Sequence, residues 1–270
     1  MALLLIIARV PRSSYYYHLK HLCELPKHLK EREVIRSICS EHKGRYGYRR
    51  VTLELRRRGL QTNHKLVMKL MKQEQLTCML RKKKYHSYRG EVGKIAPNLL
   101  KRDFRAEKPN LKWATDITEF KLFGQKLYLS PIMDLFNGEI ISYSLTRSPN
   151  FHQVTAMLKD AFRKIPDNSQ LILHSDQGWQ YQMKAYQKML RDKGIRQSMS
   201  RKGICYDNSV MENFFGILKS EFYHNQKFSS DKQFEIELAN YIDYYNNRRI
   251  KVKLKGLSPV QFRTQSFIST

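Results

Sequence analysis

Residues 111–146, LKWATDITEFKLFGQKLYLSPIMDLFNGEIISYSLT, decide the fold. β-Branched and aromatic residues crowd into three runs here, WATDITEF, KLYLSPIMDLF and GEIISYSLT, separated by Gly124 and by Asn137-Gly138. Asn-Gly between such runs is a strong hairpin signal, because both residues tolerate the positive φ that a tight turn demands. The stretch is expected to form a three-stranded antiparallel meander with Asp116 in the middle of its first strand.

Working toward the C-terminus, FHQVTAMLKDAFRKI reads as a helix and LILHSD as a short strand. A helix near Met183 to Lys193, a strand near Ile195 to Met199 and a helix from about Ser209 to Phe222 complete the series. The order βββαβαβα is that of an α/β, RNase H-like core, expected over residues 111–225. On that fold Asp116 lies on the central strand, Asp176 at the carboxyl end of the fourth strand and Glu212 on the helix that crosses the sheet. Three acids far apart in sequence then meet at one edge, with 35 residues between the last two.

Carboxylate oxygens are the preferred ligands of hard divalent cations. Three acids from three elements can hold two Mg²⁺ or Mn²⁺ ions about 3.5–4 Å apart, with phosphate and water completing each shell. Such a centre suits phosphoryl transfer without a covalent enzyme intermediate. On the Glu212 helix, Met211, Phe214, Phe215, Leu218 and Phe222 form an apolar stripe, while Glu212 and Lys219, seven apart, share a neighbouring face. Glu212 would bind metal and Lys219 a DNA phosphate. Asn208, in the turn before the helix, would either orient Glu212 or cap the helix.

Fifty Lys and Arg against 24 Asp and Glu, a formal charge of +26, point to a polyanionic partner, of which nucleic acid is the most common. Residues 1–108 carry 27 basic and 9 acidic side chains, so the first half is the better candidate for gripping phosphate. Within it, residues 29–80 read as three short helices: EREVIRSICSEH, YRRVTLELRRRG closing at Gly59, and a third beginning at Asn63 as its cap. Lys65, Lys69 and Lys72 fall on one face of the third helix and Leu66, Val67, Leu70 and Met71 on the other. This arrangement suits a helical, helix-turn-helix-like DNA-binding domain. Residues 1–28 are expected to be a further N-terminal helical segment.

A basic linker, residues 81–110, follows with Lys82, Lys83 and Lys84 as phosphate contacts; Arg201 and Lys202 within the core are further candidates. After the core, residues 226–270 begin as an amphipathic helix with Ile236, Leu238, Tyr241, Ile242 and Tyr245 and end in a basic strip, Arg248 to Lys255, from which Arg248 and Arg249 are expected to touch DNA. The four cysteines form no close pairs, which fits a reducing, cytoplasmic, nucleoid-associated setting. The apolar start MALLLIIARV is too short to span a bilayer, so no membrane partner is expected.

WATDITEF, HSDQGWQY, SMSRKGICYDNSVMENFFGILKSE and YIDYYNNRRIKVKLKGLSPVQF, with KHLKEREVIRSICSEHKGRYGYRRVTLELRRRGLQTNHKLVMKLMKQEQL before them, resemble the integrase-core transposases of bacterial insertion sequences. In particular they resemble the second-frame protein, OrfB, of the insertion sequence 3 family. The resemblance covers nearly the whole chain and places the catalytic positions at Asp116, Asp176 and Glu212. It implies cutting at element ends, transfer of the cut 3′ strand and a circular intermediate. It also implies a working enzyme fused to, or partnered by, an upstream frame (OrfA) that supplies end recognition. Retroviral integrases share the core and the 35-residue interval, but their zinc module needs a Cys-x-x-Cys pair that His18, His21 and Cys23 lack. Strand transfer needs two double-stranded DNA ends held together, so a homo-oligomer on DNA is expected. The alternatives are a catalytically silent DNA-binding repressor and a nuclease that cuts without joining.

Overall fold

In the computed structural model of the protein, which describes residues 5, 11–22, 27–78 and 94–268, the chain divides into two compact units, Met1–Cys78 and Met79–Thr270. In the first, helices form where apolar residues recur at three- and four-residue spacing: α1 (Arg12–Leu22), α2 (Leu29–Glu41), α3 (Tyr48–Arg57) and α4 (His64–Gln73). Ile35, Ile38 and Cys39 of α2, Val51 and Leu55 of α3, and Val67, Leu70 and Met71 of α4 are buried where these three helices pack in pairs. Gly59, at φ +84°, ends α3; the Leu60 N–H then reaches Leu55 O at 2.9 Å and satisfies a carbonyl the helix would otherwise strand. Asn63 caps α4 as expected, its Oδ1 accepting from Lys65 N at 2.8 Å.

The second unit is built on β1 (Lys112–Thr115), β2 (Thr118–Leu122), β3 (Gln125–Asp134), β4 (Ile140–Thr146), β5 (Ile172–Ser175) and β6 (Arg196–Met199). The connecting and flanking helices are α5 (Phe151–Phe162), α6 (Trp179–Gln182), α7 (Lys184–Asp192), α8 (Ser209–Leu218), α9 (Asp231–Asn247) and α10 (Pro259–Ile268). β3 is long enough to pair antiparallel with both β2 (Thr118 opposite Leu129) and β1 (Thr115 opposite Ile132), so those two are halves of one bent strand. β4 takes the other edge of β3, β5 runs parallel to β1, and β6 runs parallel to β5. An antiparallel half closed by hairpins thus joins a parallel half that crosses through helices, and the order from edge to edge is β4, β3, β1/β2, β5, β6. This is the RNase H-like fold.

Side-chain alternation divides the interior. Ala114, Phe120, Leu127 and Leu129 face one side and pack on Met211, Phe214, Phe215 and Leu218 of α8 and on Phe234, Leu238 and Tyr241 of α9. Trp113, Ile132 and Leu173 face the other, against Val154, Met157 and Leu158 of α5 and Tyr186 and Leu190 of α7. Trp113 and Ala114 are consecutive, so a one-residue slip in β1 would exchange the two cores.

Candidate active site

Contrary to expectation, Asp116 is not in the middle of a strand but in the break between β1 and β2. There the Ile117 N–H turns back onto its own neighbour, donating to Asp116 Oδ1 at 2.7 Å. The parallel register pairs Ala114 with His174. Carried two residues further, it sets Asp116 beside Asp176, at the ends of adjacent strands whose usual spacing is about 4.8 Å. Asp176 Oδ1 accepts from Gly178 N at 2.9 Å. A Cβ at position 178 would stand 3.0 Å from Asp176 Oδ1 and 2.9 Å from Gln180 Oε1, so any larger residue would crowd the Asp176 carboxylate.

Glu212 is in the first turn of α8 and half-buried, while Met211, Phe214, Phe215 and Leu218 fasten that helix to the sheet. The electrostatics tie the acids together. Burial first, then the charges of Asp176 and Glu212, push the Asp116 carboxyl well above the usual carboxylate range; Lys219 acts in the opposite sense. Burial likewise raises Asp176. Lys219 lies at the start of a π-helical turn, Lys219–Tyr223, with its ammonium 5.6 Å from the Phe120 ring centroid. Its pKa is lowered by burial, against the pull of Glu119 and Asp116.

Two buried carboxylates and a third at the rim, whose charges oppose one another, form an oxygen-only donor set suited to a hard divalent cation. As the side chains stand, Asp116 and Asp176 each hold an oxygen on a backbone amide. Among the described residues no three acidic, His or Cys side chains stand in ready-made ligand geometry. The fit is therefore one of donor chemistry and charge.

Asn208 stands at the N-cap of α8 as expected but makes no side-chain cap bond there; its Nδ2 donates to Thr115 O at 3.3 Å, pinning the turn to the residue before Asp116. His174, two residues before Asp176, is fully buried between Ser198 Oγ (2.8 Å) and Ser200 Oγ (3.2 Å). Lys65, Lys69 and Lys72 are exposed on α4, opposite its buried face. Lys82, Lys83 and Lys84 lie outside the described residues. Lys202 and Arg248 are exposed, and Arg201 is exposed while holding Asp207 with two prongs, at 2.9 and 3.0 Å.

Arg249 is a correction to the expected basic strip. Its side chain is 2% exposed and paired with Glu221, so it is spent inside the core instead of facing DNA. Sequence reasoning passed over Glu221 and Asp207, both buried acids. Glu221 did carry a signal, a charge set between Leu218 and Phe222 of the apolar stripe; Asp207 carried none.

Residues 106–205 match the integrase core domain family, residues 212–267 match a second integrase core domain family, and residues 26–84 match an HTH-like domain. The chain is 52% identical over 265 residues to the putative transposase InsK for insertion sequence element IS150 of Escherichia coli (strain K12), covering 98% of this chain and 94% of that protein. It is 35% identical to the transposase InsF for insertion sequence IS3A of the same organism, over 96% of this chain and 92% of that one. The chain belongs to the insertion sequence 3 family of transposases. As an insertion sequence 3 family transposase it acts in DNA transposition, its integrase core is a polynucleotidyl transferase, and its HTH-like domain makes DNA its partner. Among solved structures, the HTLV-2 integrase catalytic core domain in complex with magnesium aligns at TM-score 0.46 and 17% identity, over 59% of this chain and 99% of that one. It is the strand order and the family matches that assign the transposase its fold. No helix among its described residues is long and apolar enough to cross a membrane.

Proposed function

We propose that Asp116, Asp176 and Glu212 are the catalytic acids of this transposase. On this reading it cuts the ends of its element and transfers the 3′ strand by divalent-metal-dependent phosphoryl transfer. The observation that carries the reading is the convergence of the three acids, by the β1–β5 register and by the mutual effect of their charges on Asp116. These residues would hold Mg²⁺ or Mn²⁺, two ions per site, which when bound activates the attacking hydroxyl and stabilises the leaving 3′ oxygen. The protein's own part is positional. The Asp116 and Asp176 carboxylates are presented on two adjacent strand ends, Glu212 comes in on a helix anchored by four buried apolar residues, and Lys219 stands close enough to neutralise charge on an adjacent phosphate.

The exposed lysines of α4, Lys65, Lys69 and Lys72, bind the DNA backbone, and Lys82, Lys83, Lys84, Arg201, Lys202 and Arg248 are further phosphate contacts. The working species is an oligomer on DNA, fused to or partnered by an upstream frame that reads the element ends. The test is a disintegration assay on branched DNA with Mn²⁺, which reports joining chemistry without end recognition. Wild-type activity that vanishes in Asp176→Asn and Glu212→Gln supports the site; activity indifferent to both substitutions rejects it. A wild type that binds DNA but stays silent favours the DNA-binding repressor or assigns turnover to the fusion with the upstream frame.

A further inference from the structure

Residues 94–102 run along the open edge of the sheet and end on a buried carboxylate. Met199 N donates to Pro97 O at 3.3 Å, Leu99 N to Ser198 Oγ at 2.9 Å, and Gln187 Nε2 to Lys94 O at 2.8 Å, so the segment is strapped to β6 and α7. Beyond the strap's middle, Asn98 Nδ2 reaches Asp207 Oδ2 at 3.0 Å and Arg102 Nε reaches Asp207 Oδ1 at 2.9 Å. Arg201 supplies three more donors to the same carboxylate: its backbone N at 3.1 Å, Nε at 2.9 Å and Nη2 at 3.0 Å. Asp207 has no exposed surface, and five donors fill the acceptor sites of its two oxygens, so it has none to offer a cation.

What Asp207 holds is the turn that delivers the catalytic helix. Asn208, next in sequence, is tied to Thr115 O beside Asp116, and Glu212 follows in the first turn of α8. The strap's other contact, Ser198, holds the buried His174 two residues before Asp176. One segment therefore touches the supports of all three acids.

We propose that Asp207, gripped by Arg102 and Asn98 of the strap, is a positioning residue that sets Glu212 against Asp116 and Asp176. The strap belongs functionally to the catalytic core. The inference rests on the assignment of the three acids made above.

The test uses the full chain with branched DNA and Mn²⁺, comparing Asp207→Asn, Arg102→Gln, Arg102→Lys, the Asp207→Asn/Arg102→Gln double variant and Glu212→Gln. Misplacing a catalytic group by an ångström can cost on the order of 10²-fold, so Asp207→Asn and Arg102→Gln should each lower kcat by at least about tenfold with KM for DNA within about twofold of wild type. The double variant should be no slower than the worse single, because both act through one contact. Arg102→Lys, which keeps a charged donor, should recover most of the rate.

A wild-type kcat in Asp207→Asn overturns the proposal. So does an Arg102→Gln variant that raises KM and spares kcat, since that is the signature of a DNA contact. If Asp207→Asn does not fold, the Gln and Lys variants at Arg102 decide by themselves. Glu212→Gln with full turnover would remove the site assignment and this inference together, whereas a silent Glu212→Gln beside a fully active Asp207→Asn would remove the inference alone.

Discussion

Arg249 and Glu221 meet in a two-pronged ion pair inside the core, Nε to Oε2 at 2.8 Å and Nη2 to Oε1 at 2.7 Å, and Tyr241 donates its hydroxyl to the same carboxylate at 3.0 Å. The pair joins the segment after α9 to the π-helical turn that begins at Lys219. Burial opposes the charge on Arg249, yet Glu221 holds its pKa above the ordinary value. Removing one partner leaves an uncompensated buried charge. Arg249→Met should therefore destabilise the core by about 3–5 kcal/mol, while the Glu221→Met/Arg249→Met double variant should recover much of that stability. Both tryptophans, Trp113 and Trp179, lie in this unit, so urea unfolding followed by their fluorescence measures it; equal destabilisation in the single and double variants would contradict the account.

Asp116 supplies the opposite case, a buried acid that weakens the fold. Its folded pKa is raised, so the fold keeps its full stability below the unfolded pKa and loses it as pH rises through the folded one, where the buried carboxylate must ionise. At pH 7 without metal, Asp116→Asn should raise the thermal midpoint while lowering turnover by at least about a hundredfold. A midpoint that falls at pH 7 would mean that the charge is better accommodated than its surroundings indicate.

Asp207 behaves in the reverse sense. Arg201 first, and then Arg102, hold its carboxyl well below the usual carboxylate range, so the stabilisation is present above the unfolded pKa and is lost as pH falls toward the folded one. The stability gap between wild type and Asp207→Asn should be constant from neutral pH down to about pH 5 and close as the pH falls below about 4. Chemical denaturation at stepped pH checks this, and a gap that widens on acidification would contradict it.

Lys65, Lys69 and Lys72 are exposed along one side of α4. Removing one phosphate contact should reduce the slope of log K against log salt by about 0.9, so Lys→Gln at any one of them should flatten it by about one unit and weaken binding alike across DNA sequences. Fluorescence anisotropy at stepped KCl measures the slope; an unchanged slope in all three variants would move the DNA-binding surface off this helix.

Much of the architecture could be read before the structure, because it depends on local rules. The change from helical period to alternation at Leu111, the turn at Asn137-Gly138 and the cap at Asn63 each act within a few residues, and each stands where expected. The contexts around Asp116, Asp176 and Glu212 were legible for the same reason: each acid sits at the end of, or early in, an element whose apolar pattern is local. What was not legible was the fate of other charges. Arg249 looked like part of a solvated basic strip, and the only hint otherwise lay 28 residues away in Glu221.

By itself, then, the sequence determined the order of strands and helices, the faces that would be buried and the three acids worth following. Periodicity and turn chemistry are properties of neighbouring residues and need no tertiary partner. Only the tertiary structure decided that β1 would run beside β5, that Asp116 would fall in a break between two half-strands, and that Asp207 would be held by Asn98 from 109 residues away. A buried charge must find a counter-charge, but its own spacing does not say which one. That choice is made when the sheet closes and the chain segments that lie along its edge are brought within hydrogen-bonding distance.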